Sequence, residues 1–144
     1  MTIDPVQKIL LVEDNDDDYD LTLRAFRKVG LNILIERARD GVEALDYLND
    51  STRNNVLPNV VLLDLNLPQI SGHEVLRQIR ANPRTRRLPV VILTTSREYD
   101  DLTRSYDLGA NSCIRKPVDF TEFMETVQSV TTYWLELNQT PGAF

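Results

Sequence analysis

Five short apolar runs alternate along this chain with longer stretches in which apolar residues recur every three or four positions. The short runs are rich in Val, Ile and Leu and predict strands; the spaced stretches predict amphipathic helices. Lys8-Ile9-Leu10-Leu11-Val12 is the first strand, and residues 32–37 the second, with Ile33 and Ile35 alternating against Leu34. Val60-Val61-Leu62-Leu63 is the third, residues 88–93 the fourth, and Ser112-Cys113-Ile114-Arg115 the fifth. The first helix carries Tyr19, Leu23 and Phe26 at helical spacing, with Asp16, Asp17 and Asp18 expected to cap it and Gly30 to close it. Asp40–Glu43, Ser71–Glu74, Thr95–Glu98 and Asp119–Glu122 have capping-box spacing for the next four. Their buried faces are expected to be Val42, Leu45 and Leu48; Val75, Leu76 and Ile79; Tyr99, Leu102 and Tyr106; and Phe120, Phe123, Met124, Val127, Val130 and Trp134. Residues 51–58 read as a polar loop, while Pro83 and Gly109 mark helix stops.

Continuous apolar runs imply strands buried on both faces, and strict alternation with helices implies parallel pairing. The prediction is an α/β fold, a flavodoxin-like doubly wound (βα)5 arrangement with strand order 2-1-3-4-5. A chain of 144 residues suits one domain, with residues 131–144 as an extension of the last helix and a tail. Net charge of −6 argues against nucleic acid as a partner. The apolar runs cannot span a membrane, no leader opens the chain, and the single cysteine excludes an intrachain disulfide. A cytoplasmic protein is expected.

Polar groups stand at the carboxyl ends of four of these strands. Glu13 and Asp14 follow the first, Asp64 the third, Thr94 the fourth and Lys116 the fifth. Alone, each residue is ordinary: an Asp after a strand is usually a turn residue, and Lys-Pro only marks a turn. In the order 2-1-3-4-5, however, all of them lie along one sheet edge, where such folds bind ligands. Three carboxylates that close cannot all ionise comfortably without a cation, and a hard divalent ion such as Mg²⁺ answers this, with the Asn66 backbone carbonyl as a further ligand. Asp64 is thereby aimed at a phosphoryl group as a nucleophile, with Lys116 and Thr94 to stabilise the transferred charge.

That register resembles the receiver domain of two-component response regulators. The resemblance spans residues 6–130 and rests on Leu11-Val12-Glu13-Asp14, Leu62-Leu63-Asp64-Leu65-Asn66-Leu67-Pro68 with Gly72, Leu93-Thr94-Thr95, Gly109-Ala110 and Lys116-Pro117. Three further stretches, residues 105–111, 116–119 and Tyr133-Trp134-Leu135, are similar to the small regulators that partner bacterial phytochromes. The resemblance implies that Asp64 accepts a phosphoryl group from a phosphohistidine on a sensor histidine kinase, a phytochrome in that subgroup. It implies Mg²⁺ on Glu13, Asp14 and Asp64, Lys116 paired with the phosphoryl group, and a cis bond to Pro117. Thr94 then swings toward the phosphoryl oxygen and repacks the surface of the fourth helix, fifth strand and fifth helix. One departure stands out: where the family carries an aromatic residue or His three positions before the lysine, this chain has Cys113. A cysteine has no ring to turn inward, so the usual coupling is in question at this switch position. Its thiol is read as buried and inert, with redox sensing as the alternative.

Output is expected through contact with an unknown downstream protein or through return of the phosphoryl group along a relay. The last helix runs on through Tyr133, Trp134 and Leu137, which either fold back on the body or, with Phe123, pair two copies as a symmetric homodimer. Arg77, Arg80, Arg84, Arg86 and Arg87 form a basic cluster that is either a solvated face or a docking site for an acidic partner. His73 is expected to face solvent. Two other functions compete. A Mg²⁺-dependent phosphatase with Asp64 as nucleophile needs a second acid at position 66, which is Asn66. A flavodoxin-like cofactor binder needs a phosphate-cradling loop after the first strand, where Glu13-Asp14-Asn15-Asp16 would repel it.

Overall fold

A computed structural model describes residues 7–30, 32–50 and 56–140. Its elements follow in the order β1 (Gln7–Val12), α1 (Asp16–Val29), β2 (Ile33–Ala38), α2 (Gly41–Asn49), β3 (Val60–Leu63), α3 (Gly72–Ala81), β4 (Val90–Thr94), α4 (Tyr99–Asp107), β5 (Ser112–Arg115) and α5 (Phe120–Thr131). A π-helical turn, Thr132–Leu137, continues α5. The strands are all parallel, in the order β2-β1-β3-β4-β5. Fold class and strand order are those expected from the alternation. Residues 51–55 of the polar loop and residues 141–144 of the tail lie outside the described residues.

Every residue of β3 and β4 is buried, because the sheet divides the core into two layers. Leu10, Val12, Val61, Leu63, Val90 and Ile92 face one layer, with Leu48, Val75, Leu76 and Ile79 from α2 and α3. Ile9, Leu11, Val60, Leu62, Val91 and Leu93 face the other, with Phe26 from α1 and Phe123, Met124 and Val127 from α5. Successive strand residues thus serve opposite layers, which is why the runs read as continuously apolar.

The helix caps show what local chemistry does and does not decide. Asp40, Ser71 and Asp119 each accept from the amide three residues on, as their capping boxes predict. Gly30 closes α1 at φ 78°, a left-handed conformation that favours glycine. The cap of α1 is Asn15, not Asp16, Asp17 or Asp18; those three fill the first turn, where the helix dipole still favours them. The Thr95 box does not form: α4 begins after Glu98 without a side-chain cap, and Ser96 Oγ accepts the Glu98 amide instead.

The basic cluster is mostly structural. Arg80 donates to the carbonyls of Gly109, Arg86 and Leu88 at 2.9, 3.1 and 2.7 Å and to Asn111 Oδ1 at 2.8 Å. It ties α3 to the loops that precede β4 and β5. Arg84 donates to Leu48 O, and Arg77 pairs with Glu74. Arg80→Lys keeps the charge but cannot reproduce a fork that serves four acceptors. We expect it to lower stability by about 1–2 kcal/mol, read as a lower urea midpoint at unchanged slope.

Candidate phosphoacceptor site

The site is built where β1, β3, β4 and β5 end. The Glu13 amide donates to Ala38 O and the Asp64 amide to Val12 O, so both residues sit one step beyond their strands. The Lys116 amide donates to Thr94 O, which fixes the fifth-strand end against the fourth. Carboxylate oxygens of Glu13, Asp14 and Asp64 lie within 4.8 Å of one another. Asp14 is exposed while Glu13 and Asp64 are nearly buried. Lys116 Nζ reaches into this group, at 2.5 Å from Glu13 Oε1 and 3.3 Å from Asp64 Oδ2. Asn66 stands in the loop above, its amide donating to Asp64 Oδ1 at 3.2 Å.

Burial pushes the Glu13 carboxyl up to about 7, although the hydrogen bond and charge of Lys116 pull it down. Burial also opposes the charge on Lys116, but Asp64, Glu13 and Asp18 together outweigh it and its pKa lies above the ordinary value. The donor set is hard oxygen, acidic and partly open to solvent. It fits a divalent cation of the Mg²⁺ or Mn²⁺ kind, and the residues that would hold it are Glu13, Asp14 and Asp64.

One member of the site was hidden by its place in the chain. Asp18 Oδ2 lies 3.3 Å from Lys116 Nζ, so this first-turn residue of α1 joins the site rather than only serving the helix. Asp16 instead pairs with Arg37 at 2.8 Å and Arg39 at 3.1 Å. Arg37 also donates to Glu13 O and stacks on the Tyr19 ring, bracing the first-strand end from β2.

Thr94 is buried, and its Oγ1 accepts from the Ser96 amide at 3.2 Å. Beneath α4 lies a cavity of about 370 Å³ whose lining includes Thr94, Ile92, Leu65, Leu102 and Cys113. Cys113 is half-buried. Burial pushes its thiol up, and the neighbouring Ser105 and Tyr106 hydroxyls offset part of that shift. A raised pKa means less thiolate at any given pH. Alkylation of Cys113 by iodoacetamide at pH 8 is therefore expected to run slower than that of a free cysteine; a rate matching free cysteine would support the redox alternative.

Other expected positions resolve differently. His73 is buried, not solvent-facing: the first turn of α3 lies under α4, where the ring meets polar partners. Among the described residues no peptide bond is cis, so Lys116–Pro117 is trans where the resemblance implies cis. Phe123 sits in the core between α5 and the sheet, which leaves it little surface to offer a second copy. Trp134 packs partly against the same layer, while Tyr133 and Leu137 are exposed.

Residues 9–128 match the response regulator receiver domain family. This chain belongs to that family. It is 48% identical over 135 residues to the probable methanogenesis regulatory protein FilR2 of Methanothrix harundinacea, covering 93% of this chain and 87% of that protein. It is 38% identical over 141 residues to the response regulator Rcp1 of Synechocystis sp., covering 96% of each. The crystal structure of the Mn(2+)-bound form of Rcp1 superposes with a TM-score of 0.86 at 37% identity, covering 94% of this chain and 99% of that one. The phosphorylated cyanobacterial phytochrome response regulator RcpA superposes with a TM-score of 0.88 at 37% identity, covering 95% and 99%. The receiver is thus homologous to phytochrome response regulators, and also to a regulator named for methanogenesis. Among the described residues no helix is long and apolar enough to cross a membrane.

Proposed function

We propose that this chain is a stand-alone response regulator of a two-component phosphorelay. On this reading residues 1–144 are a single receiver domain, with residues 131–144 an extension of the last helix and a tail. Asp64 is the phosphoacceptor. One of its carboxylate oxygens attacks the phosphorus of a phosphohistidine on a sensor kinase. The phosphorus–nitrogen bond breaks, the electron pair stays on the leaving imidazole, which takes a proton, and an aspartyl phosphate remains. Hydrolysis later returns the carboxylate and inorganic phosphate, so the only chemistry the protein catalyses is its own phosphorylation and dephosphorylation. The observation that carries this reading is the meeting of Glu13, Asp14, Asp64 and Lys116 at one sheet edge.

Glu13, Asp14, Asp64 and the Asn66 backbone carbonyl would hold Mg²⁺, which when bound offsets charge on phosphoryl oxygens. Lys116 supplies a fixed positive charge beside the acceptor oxygen, and Thr94 a hydroxyl to donate to the new group. Cys113, with a cavity beside it in place of a ring, leaves the switch to other contacts. The modified protein signals in the cytoplasm through changed protein contacts, to a downstream protein rather than to nucleic acid or membrane.

The kinship with RcpA supports a phytochrome as the sensor kinase. A homodimer through the α4–β5–α5 face is supported by the exposed Tyr99, Tyr106, Tyr133 and Leu137. The Mg²⁺-dependent phosphatase reading gains nothing, since Asn66 still stands where a general acid is needed.

The deciding experiment is intact mass after incubation with Mg²⁺ and acetyl phosphate, with Asp64→Asn in parallel. One added phosphoryl group on the wild type and none on the variant is the expected result. If neither acetyl phosphate nor a phosphohistidine donor modifies the folded, Mg²⁺-binding protein, the reading fails. Transfer rates from a panel of phosphorylated sensor kinases then test the phytochrome pairing, and light scattering of both forms tests the dimer.

A further inference from the structure

Helix α4 buries one residue, Ser105. Its apolar side chains Tyr99, Leu102 and Tyr106 are 78%, 45% and 50% exposed. A surface helix is ordinarily held by an apolar stripe turned to the core; here the hold is polar. His73 Nε2, from the first turn of α3, lies 2.9 Å from Ser105 Oγ and 3.1 Å from Asp101 O. The Ser105 hydroxyl donates to the same Asp101 carbonyl at 2.8 Å. A carbonyl only accepts, and the Ser105 proton is already committed to it, so Nε2–H must be the donor in both contacts. The neutral ring therefore carries its proton on Nε2, and a charged ring carries one there too.

The line continues toward the phosphoacceptor edge. Ser96 Oγ donates to Asp101 Oδ2 at 2.6 Å, and the Ser96 amide donates to Thr94 Oγ1 at 3.2 Å. The cavity of about 370 Å³ lies under the same turn, lined by Thr94, Ser96, Asp101, Ser105 and Cys113 among others. The first turn of α4 thus has room to shift and is restrained by directional bonds rather than by close packing.

We propose that His73 is a positioning residue that clamps α4 to the body, and that the chain Thr94–Ser96–Asp101–His73 couples α4 to the phosphoacceptor edge. The coupling half rests on Asp64 being phosphorylated; the clamp does not. A Thr94 hydroxyl drawn to a phosphoryl oxygen either pulls Ser96 with it or drops its amide. Both disturb the Ser96–Asp101 bond and so the turn that His73 holds. The output of this receiver then passes through hydrogen bonds under α4, with position 113 free to be small.

Hydrogen exchange of residues 99–107 in the full chain tests this, with and without Mg²⁺ and acetyl phosphate, the phosphoryl group being counted by intact mass. His73→Leu removes the donor; His73→Gln keeps one. In the unmodified protein, His73→Leu is expected to raise exchange in α4 about tenfold while β3 and α5 stay as in the wild type, and His73→Gln to stay within about twofold. Phosphorylation raises α4 exchange in the wild type and His73→Gln, and adds nothing in His73→Leu. Unchanged α4 exchange in His73→Leu overturns the clamp, as does a rise spread equally over β3 and α5, or a His73→Gln that behaves like His73→Leu. A full phosphorylation response in His73→Leu overturns the coupling. Should the wild type take no phosphoryl group from acetyl phosphate or from a phosphohistidine donor, the phosphoacceptor reading and the coupling fall together, and the clamp is judged on the unmodified chains.

Discussion

Lys116→Met is expected to lower stability by about 3 kcal/mol in metal-free buffer and to slow phosphorylation of Asp64 at least about a hundredfold. The Lys116 side chain is only 8% exposed and serves three carboxylates, from Glu13, Asp18 and Asp64. Methionine matches the volume of its stem but supplies no charge. Glu13 and Asp64 would then face each other, nearly buried, without the cation that offsets them. Removing one partner of a buried ion pair is costly because of what is left behind, not because of what the pair contributed. Two comparisons separate this cause from a simple packing defect. Millimolar Mg²⁺ should restore part of the lost stability, since it supplies positive charge to the same carboxylates. Adding Asp64→Asn should make the Lys116→Met loss smaller, because one repelling charge is gone. Urea denaturation with and without Mg²⁺ reads the first, and a double-mutant cycle the second. A variant as stable as the wild type without metal would show that the carboxylates are relieved by solvent, not by Lys116. The rate should not recover with Mg²⁺, since the ammonium beside Asp64 Oδ2 is positioned where the ion is not a substitute.

The strands and the strand-end residues were legible because burial on both faces leaves a mark that survives without tertiary knowledge. A residue at the end of such a run can be placed on an edge once the strand order is known. Glu13, Asp64, Thr94 and Lys116 were found this way, and each stands at that edge. Asp18 was not, because its position in the first turn of α1 already had a sufficient local reason. Its second partner lies 98 residues away in sequence. His73 departs from its expected exposure for a related cause. A polar residue in a first turn is ordinarily solvated, and only the arrival of Ser105 and the Asp101 carbonyl makes its burial tolerable. The apolar spacing of Tyr99, Leu102 and Tyr106 did predict a helix, but spacing alone does not say what covers the stripe. Among the described residues none covers it fully, and Tyr99, Leu102 and Tyr106 stay exposed.

Gly72→Ala is expected to cost about 3 kcal/mol and to cut the phosphorylation rate on the order of a hundredfold, although it adds one methyl group. Sequence shows only a glycine after the Asp64 loop, within a capping box that would accept alanine. Its backbone is not left-handed, so conformational freedom does not explain it. The reason is distance. A Cβ here would stand 2.3 Å from Asp64 O and 2.7 Å from Leu65 Cα. Both are backbone atoms, so no rotamer change relieves the contact. The Gly72 amide donates to Leu65 O at 3.0 Å, which draws the start of α3 against the end of β3. Alanine must therefore push the helix away, breaking that bond, or push the Asp64 peptide, moving its carboxylate. The first path lowers stability; the second misplaces Asp64 relative to Lys116, and errors of about 1 Å are enough for a large loss of rate. The two are separable by measuring the urea midpoint and the rate of mass gain from acetyl phosphate on the same samples. Loss of rate beyond what the folded fraction explains would assign Gly72 to the positioning of Asp64. Loss of stability with a normal rate in the folded fraction would assign it to helix packing alone. A variant unchanged in both would mean that β3 and α3 separate freely, and the close approach of α3 would then have no part in holding the site.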